Sequence, residues 1–145
     1  LKTEEDMVMY LEACMEEAGD DAAFIAAALG DIARAKGMTQ LARATGLGRE
    51  SLYKALSGEG NPSFATILKV MHALGIKLYP EIAFIAAALG DIARAKGMTQ
   101  LARATGLGRE SLYKALSGEG NPSFATILKV MHALGIKLHP EIAHT

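Results

Sequence analysis

Residues 23–78 recur at 83–138 without a single change, so the chain must fold the same unit twice. His139 replaces Tyr79, and residues 80–83 return as 140–143. The period of 60 residues is too long for a standard solenoid repeat. Long divergence would scatter surface substitutions, and their near absence fits a very recent duplication or a deliberate construction. The first 22 residues have no second copy.

The unit is organised around MTQLARATGLGRESLYKALSG, residues 38–58 and again 98–118. Leu41 and Ala42 fall one turn before Thr45 and Gly46. Gly46-Leu47-Gly48 makes a tight corner, and a second short helix presents Leu52, Ala55 and Leu56 on one face. Two short helices meeting at a glycine-bearing turn form a helix-turn-helix, whose second helix can lie in the DNA major groove. Ala42 is small enough for a close crossing. Gly46 supplies the positive φ of the corner, and Leu47 and Leu52 tie both helices to a core behind them. Gly48, Arg49, Glu50, Tyr53 and Lys54 are left on the outward face.

Half of the 145 residues are hydrophobic and β-branched runs are few, so the chain reads as soluble and mostly helical. Its length suits one ordinary domain or two very small ones. One cysteine, Cys14, excludes an internal disulfide and cannot make a zinc site alone. Met7, Tyr10 and Leu11 at helical spacing make it a core thiol. The longest apolar run, Ala22 to Gly30, falls well short of the ~20 residues that span a bilayer. No basic-then-apolar leader precedes Leu1, so no membrane partner is expected and cytoplasm is the expected compartment.

The net charge of −1 conceals a segregation. Residues 1–22 set Lys2 against Glu4, Glu5, Asp6, Glu12, Glu16, Glu17, Asp20 and Asp21. Residues 23–78 hold seven cations against three anions, and 83–138 repeat that balance. A basic unit with an acidic appendage suits phosphate contact on one face, while the acidic helix is either a solvated surface or a partner site.

Thr3 followed by Glu4-Glu5-Asp6 starts a helix, with Met7, Tyr10, Leu11, Cys14 and Ala18 on one stripe and Gly19 at its end. Asp20-Asp21 caps the next helix, which buries Phe24, Ile25, Ala28, Leu29 and Ile32 and stops before Gly37. Gly30 weakens that helix and implies close contact with another. Ser57 to Pro62 is a loop. Ser63 caps a final helix with Phe64, Ile67, Leu68, Met71 and Leu74 inward, stopped by Gly75. Ile76-Lys77-Leu78 alternates as a short strand and a candidate dimer-forming element, with association expected between chains. Copy two has no acidic helix of its own. Helix 63–74 carries a similar stripe in phase, so it is expected to stand in as cover near Phe84, Ile85 and Leu89.

From DIARAKGMTQLARATGLGRESLYKALSGEGNPSFATILKVMHALGIKL, the chain resembles the Xre/Cro-type helix-turn-helix class. More narrowly, it is similar to addiction-module antidote (antitoxin) proteins of the HigA-like kind, over residues 1–78 and again 83–138. The resemblance implies an all-α fold: two tandem lambda-repressor-like helix-turn-helix units, 23–79 and 80–145, behind an acidic helix in 1–22. It also implies a cytoplasmic, usually dimeric repressor of transcription that often accompanies a toxin. Gly48 departs from the serine N-cap usual in the class; glycine is a permitted but plainer cap.

Arg49 and Arg109 start the second motif helices, where a guanidinium can bond the O6/N7 edge of guanine. Each can instead pair with Glu50 or Glu110, and those carboxylates can accept from cytosine N4 or merely favour the helix N-terminus. Tyr53, Lys54, Tyr113 and Lys114 suit a backbone phosphate or a thymine methyl. Thr39 and Gln40, with Thr99 and Gln100, sit at a helix start suited to phosphate. Arg43 and Arg103 divide between phosphate and solvent. Asn61 and Asn121 sit in a loop suited to phosphate. His72 and His132 lack metal-ligand spacing, so no metal or cofactor is expected. No acid pair, nucleophile–base set or phosphate-binding glycine loop appears, which argues against an enzyme. The expected function is sequence-specific double-stranded DNA binding by a transcriptional regulator serving as an antitoxin, with a toxin partner and homo-oligomerisation. The alternatives are a toxin-neutralising interaction module and a duplicated assembly that has lost DNA binding.

Overall fold

A computed structural model describes residues 3–18, 21–80, 97–117 and 120–142, apart from the side chains of Tyr79 and Pro80. In order the described elements are α1 (Glu4–Ala18), α2 (Ala22–Lys36), α3 (Met38–Thr45), α4 (Arg49–Ala55), α5 (Phe64–Ala73) and β1 (Ile76–Pro80). Then come α6 (Met98–Thr105), α7 (Arg109–Ala115), α8 (Phe124–Ala133) and β2 (Leu138–Ile142). The protein is mainly helical, as expected. Gly19, Asp20 and the cover of copy two around 84–96 lie outside the described residues.

Local chemistry explains the helix ends. Thr3 Oγ1 accepts from the Asp6 amide at 3.0 Å while Asp6 Oδ2 accepts from the Thr3 amide at 3.3 Å, a reciprocal cap. Asp21 Oδ1 accepts from the Phe24 amide, and Ser63 Oγ from the Thr66 amide, both at 3.1 Å. Gly46 ends α3 in the left-handed region at φ 75°, and Gly106 repeats it at 76°.

Met7, Leu11, Cys14 and Met15 of α1 join Ile25, Leu29 and Ile32 of α2 in a core with Leu41, Leu52, Leu56, Ile67, Val70 and Met71. Burying each of the larger side chains contributes about 1.5–3 kcal/mol against unfolding. Cys14 is a buried free thiol, and burial pushes its pKa up. Gly30 meets the turn after α4: a Cβ there would lie 2.6 Å from the Leu56 carbonyl oxygen. That is the close helix contact the sequence implied.

Two apolar residues depart from expectation. Phe24 is 41% exposed and Leu68 42%. The buried stripe of α2 runs through Ile25, Ala28, Leu29 and Ile32, and that of α5 through Ile67, Val70, Met71 and Leu74. Phe24 lies about 100° of helix from Ile25 and Leu68 about 100° from Ile67, which puts each at the edge of its stripe. Val70, on the stripe that helix 63–74 shares in phase with helix 3–18, is fully buried.

The two units meet at equal positions of their sequences. β1 pairs antiparallel with β2 in a ladder whose middle pair is Leu78↔Pro140 and which opposes Tyr79 to His139. Ser63 and Ser123 form a second, isolated antiparallel bridge. The Phe64 amide donates to the Pro122 carbonyl and the Phe124 amide to the Pro62 carbonyl, both at 2.9 Å. Between them the Phe64 and Phe124 rings stack, centroids 6.4 Å apart and planes 4° from parallel. The strand expected over 76–78 is therefore present, and it pairs the units inside one chain.

α1 breaks this symmetry. It packs on α2 and on β2, and α2 also meets α8. Phe124 and Leu128 consequently enter the core of copy one and are buried, while Phe64 is half-buried.

Candidate nucleic-acid interface

The α3–α4 pair is held from behind and left open in front. Thr45 Oγ1 donates to the Leu41 carbonyl at 2.9 Å and accepts from the Leu47 amide at 3.2 Å, locking the corner. The Gly46 amide donates to the Ala42 carbonyl at 3.0 Å. Gly48 caps α4 with no side-chain bond, the plainer cap foreseen from its identity. Leu41, Leu52 and Leu56 are buried, which fixes the rotation of α4 about its axis. Copy two repeats the lock, with Thr105 Oγ1 on the Leu101 carbonyl at 2.9 Å and Leu112 and Leu116 buried.

With that face anchored, Arg49, Glu50, Tyr53 and Lys54 all point to solvent, as do Arg109, Glu110, Tyr113 and Lys114. The Arg49 guanidinium lies over the Tyr53 ring, 5.8 Å from its centroid, and Arg109 lies over Tyr113 at 5.9 Å. Among the described residues no ion pair joins Arg49 to Glu50. The sequence carries a signal for this contact, since Arg and Tyr four residues apart on a helix face each other. A guanidinium held over a ring face can still donate from its N–H edge.

Thr39, Gln40 and Arg43 are exposed on α3, with Arg43 one turn beyond the other two. Thr99, Gln100 and Arg103 repeat the arrangement on α6. The loop after α4 folds back on its helix. Ser57 Oγ donates to the Lys54 carbonyl at 2.9 Å and accepts from the Glu59 amide at 3.1 Å, so that amide is already bonded. A Cβ at Gly60 would meet the Lys54 carbonyl oxygen at 2.5 Å, so glycine lets the loop close there. Asn61 and Asn121 are exposed beyond the fold-back.

Each site residue foreseen from the sequence therefore stands on the outer side of α3–α4 or α6–α7, or on the loop that follows α4 or α7. His72 and His132 are exposed on α5 and α8, and no His/Cys/Asp/Glu group able to hold a metal is present among the described residues. Among those residues no helix is long and apolar enough to cross a membrane.

A family model described as "Probable addiction module antidote protein" matches residues 1–83 and, a second time, residues 81–142. An uncharacterized protein of Haemophilus influenzae is 53% identical over 77 residues, covering 53% of this chain and 77% of that protein. No solved structure matches.

Proposed function

The chain belongs to the family of probable addiction module antidote proteins, and from that premise we propose that it is an antitoxin that also binds duplex DNA as a transcriptional repressor. Family membership supports the antitoxin role and a toxin partner. The DNA-binding part is carried by one observation: α4 and α7 are each anchored through two buried leucines and present Arg, Glu, Tyr and Lys outward. In this reading α3–α4 and α6–α7 are helix-turn-helix elements of the Xre type. Arg49 and Arg109 read guanine edges, with Glu50 and Glu110 beside them as acceptors for cytosine N4. Tyr53, Lys54, Tyr113 and Lys114 flank the bases. Thr39, Gln40, Arg43 and Asn61, with Thr99, Gln100, Arg103 and Asn121, hold the sugar-phosphate backbone. The protein acts by binding rather than by catalysis, and the cytoplasm is its place of action.

Toxin contact falls to α1. Its outer side carries Met9, 67% exposed, among the exposed carboxylates Glu5 and Glu16. An exposed apolar side chain on an acidic helix suits a basic partner with an apolar spot.

Gel retardation of a random-sequence duplex tests the DNA reading: complexes should form at 50 mM salt and largely dissociate at 200 mM. Unretarded duplex at 50 mM would remove it. Growth arrest by the product of the adjacent reading frame, relieved by this chain, tests the antitoxin role.

A further inference from the structure

We infer that a single chain reads both halves of an inverted-repeat duplex site, so that one protein molecule does what two chains of a separate-subunit dimer would do. This rests on the assignment of α4 and α7 as the DNA-reading helices and adds the symmetry of the target and the number of chains on it.

The argument begins with register. An antiparallel ladder that sets Tyr79 opposite His139 opposes equal positions of two copies. Rotation by half a turn about a line between those positions exchanges the strands. The same exchange holds at Ser63 and Ser123, where two 2.9 Å hydrogen bonds are reciprocal and the two phenylalanine rings lie parallel. Two separate contacts thus obey one twofold exchange. The units between them are alike in detail, down to corner glycines at φ 75° and 76° and locking threonine bonds of 2.9 Å. The rotation that exchanges the contacts therefore exchanges α4 with α7.

That relationship selects the target. Helices related by a twofold axis meet half-sites that are themselves twofold related, which in duplex DNA means an inverted repeat. A direct repeat would need units related by translation. It also sets the stoichiometry. The backbone groups at 62–64 and 76–80 that pair the units are already bonded within the chain. Linkage makes that pairing intramolecular, with an effective concentration far above that of free chains. The association between chains expected from the sequence is then unnecessary for reading DNA.

The experiment selects duplexes from a random library with the full-length chain and weighs the complex by sedimentation. The expected result is an inverted repeat with half-site centres about 10 base pairs apart, bound by one chain. Arg109→Ala supplies the sharper arm. In a single-chain reader it relaxes base preference in one half-site only and weakens binding to the selected duplex roughly 5- to 150-fold. Arg109 is exposed, so an unchanged thermal melt serves as the folding control. Two chains per duplex, a direct repeat, or both half-sites relaxing together would overturn the inference while leaving α4 and α7 as DNA readers. A library that shows no enrichment would remove the DNA reading itself, and the inference with it.

Discussion

Tyr79 stands opposite His139 in the β1–β2 ladder, and this is the one position at which residues 23–82 and 83–142 differ. The substitution lies where the two units face each other, and it also touches the element that occurs once. His139 Nδ1 is 3.9 Å from Glu12 Oε1 on α1. The symmetric part of the molecule and its asymmetric addition meet at that residue. Because the rest of the repeat is identical, differences between equivalent residues report on position alone.

Leu68 and Leu128 make that usable. Leu128 is 3% exposed in the core shared with α1 and α2, while Leu68 is 42% exposed. Leu128→Ala should cost about 2–5 kcal/mol of stability, and Leu68→Ala less than about 1. Denaturant unfolding of the two variants measures both; equal losses would mean that α1 and α2 do not cover α8.

Gly30→Ala should destabilise the protein, although alanine is the better helix former by about 1 kcal/mol. The added Cβ would sit 2.6 Å from the Leu56 carbonyl oxygen, which is backbone and cannot rotate away. Overpacking of this kind costs about 1–3 kcal/mol. A thermal melt reads the sign, and a raised midpoint would contradict the close approach.

Much of this architecture was legible in the sequence because it is written in local chemistry. Thr3, Asp21 and Ser63 announce their caps, and Gly46 its positive φ, because each acts within four residues. The outward position of Arg49 and Lys54 follows from the 3.6-residue period once Leu52 and Leu56 are inward. Phe24 and Leu68 depart from expectation because hydrophobicity names a core residue without naming the helix face the neighbours choose. The ladder's register could not be read: identical units constrain which residues are alike, not which of them meet. Tyr10 falls on the apolar stripe, and local spacing carries no hint of its partner 21 positions away.

That partner gives a pH dependence. The Tyr10 hydroxyl donates to Asp31 Oδ2 at 2.7 Å, and Asp31 Oδ1 accepts from Arg34 at 2.6 Å. The bond to Asp31, then burial and the nearby negative charge, push the Tyr10 pKa up from 10.0 to about 12. A pKa raised on folding means stability present in full below pH 10 and lost as pH climbs toward 12. The parent should exceed Tyr10→Phe by about 1 kcal/mol at pH 9, and the gap should close by pH 12. Urea midpoints of the pair across that range check it; a gap independent of pH would contradict the bond.

The most direct test of the central claim compares the parent with Arg49→Ala/Arg109→Ala on two duplexes, the library-selected site and a scrambled sequence of equal composition. Fluorescence anisotropy at fixed salt gives the ratio of the two affinities. If α4 and α7 read bases, the variant loses about 1–3 kcal/mol of discrimination at each arginine, and the ratio falls toward one. A variant that keeps the parent's ratio while remaining folded would contradict the claim that these two helices read the sequence.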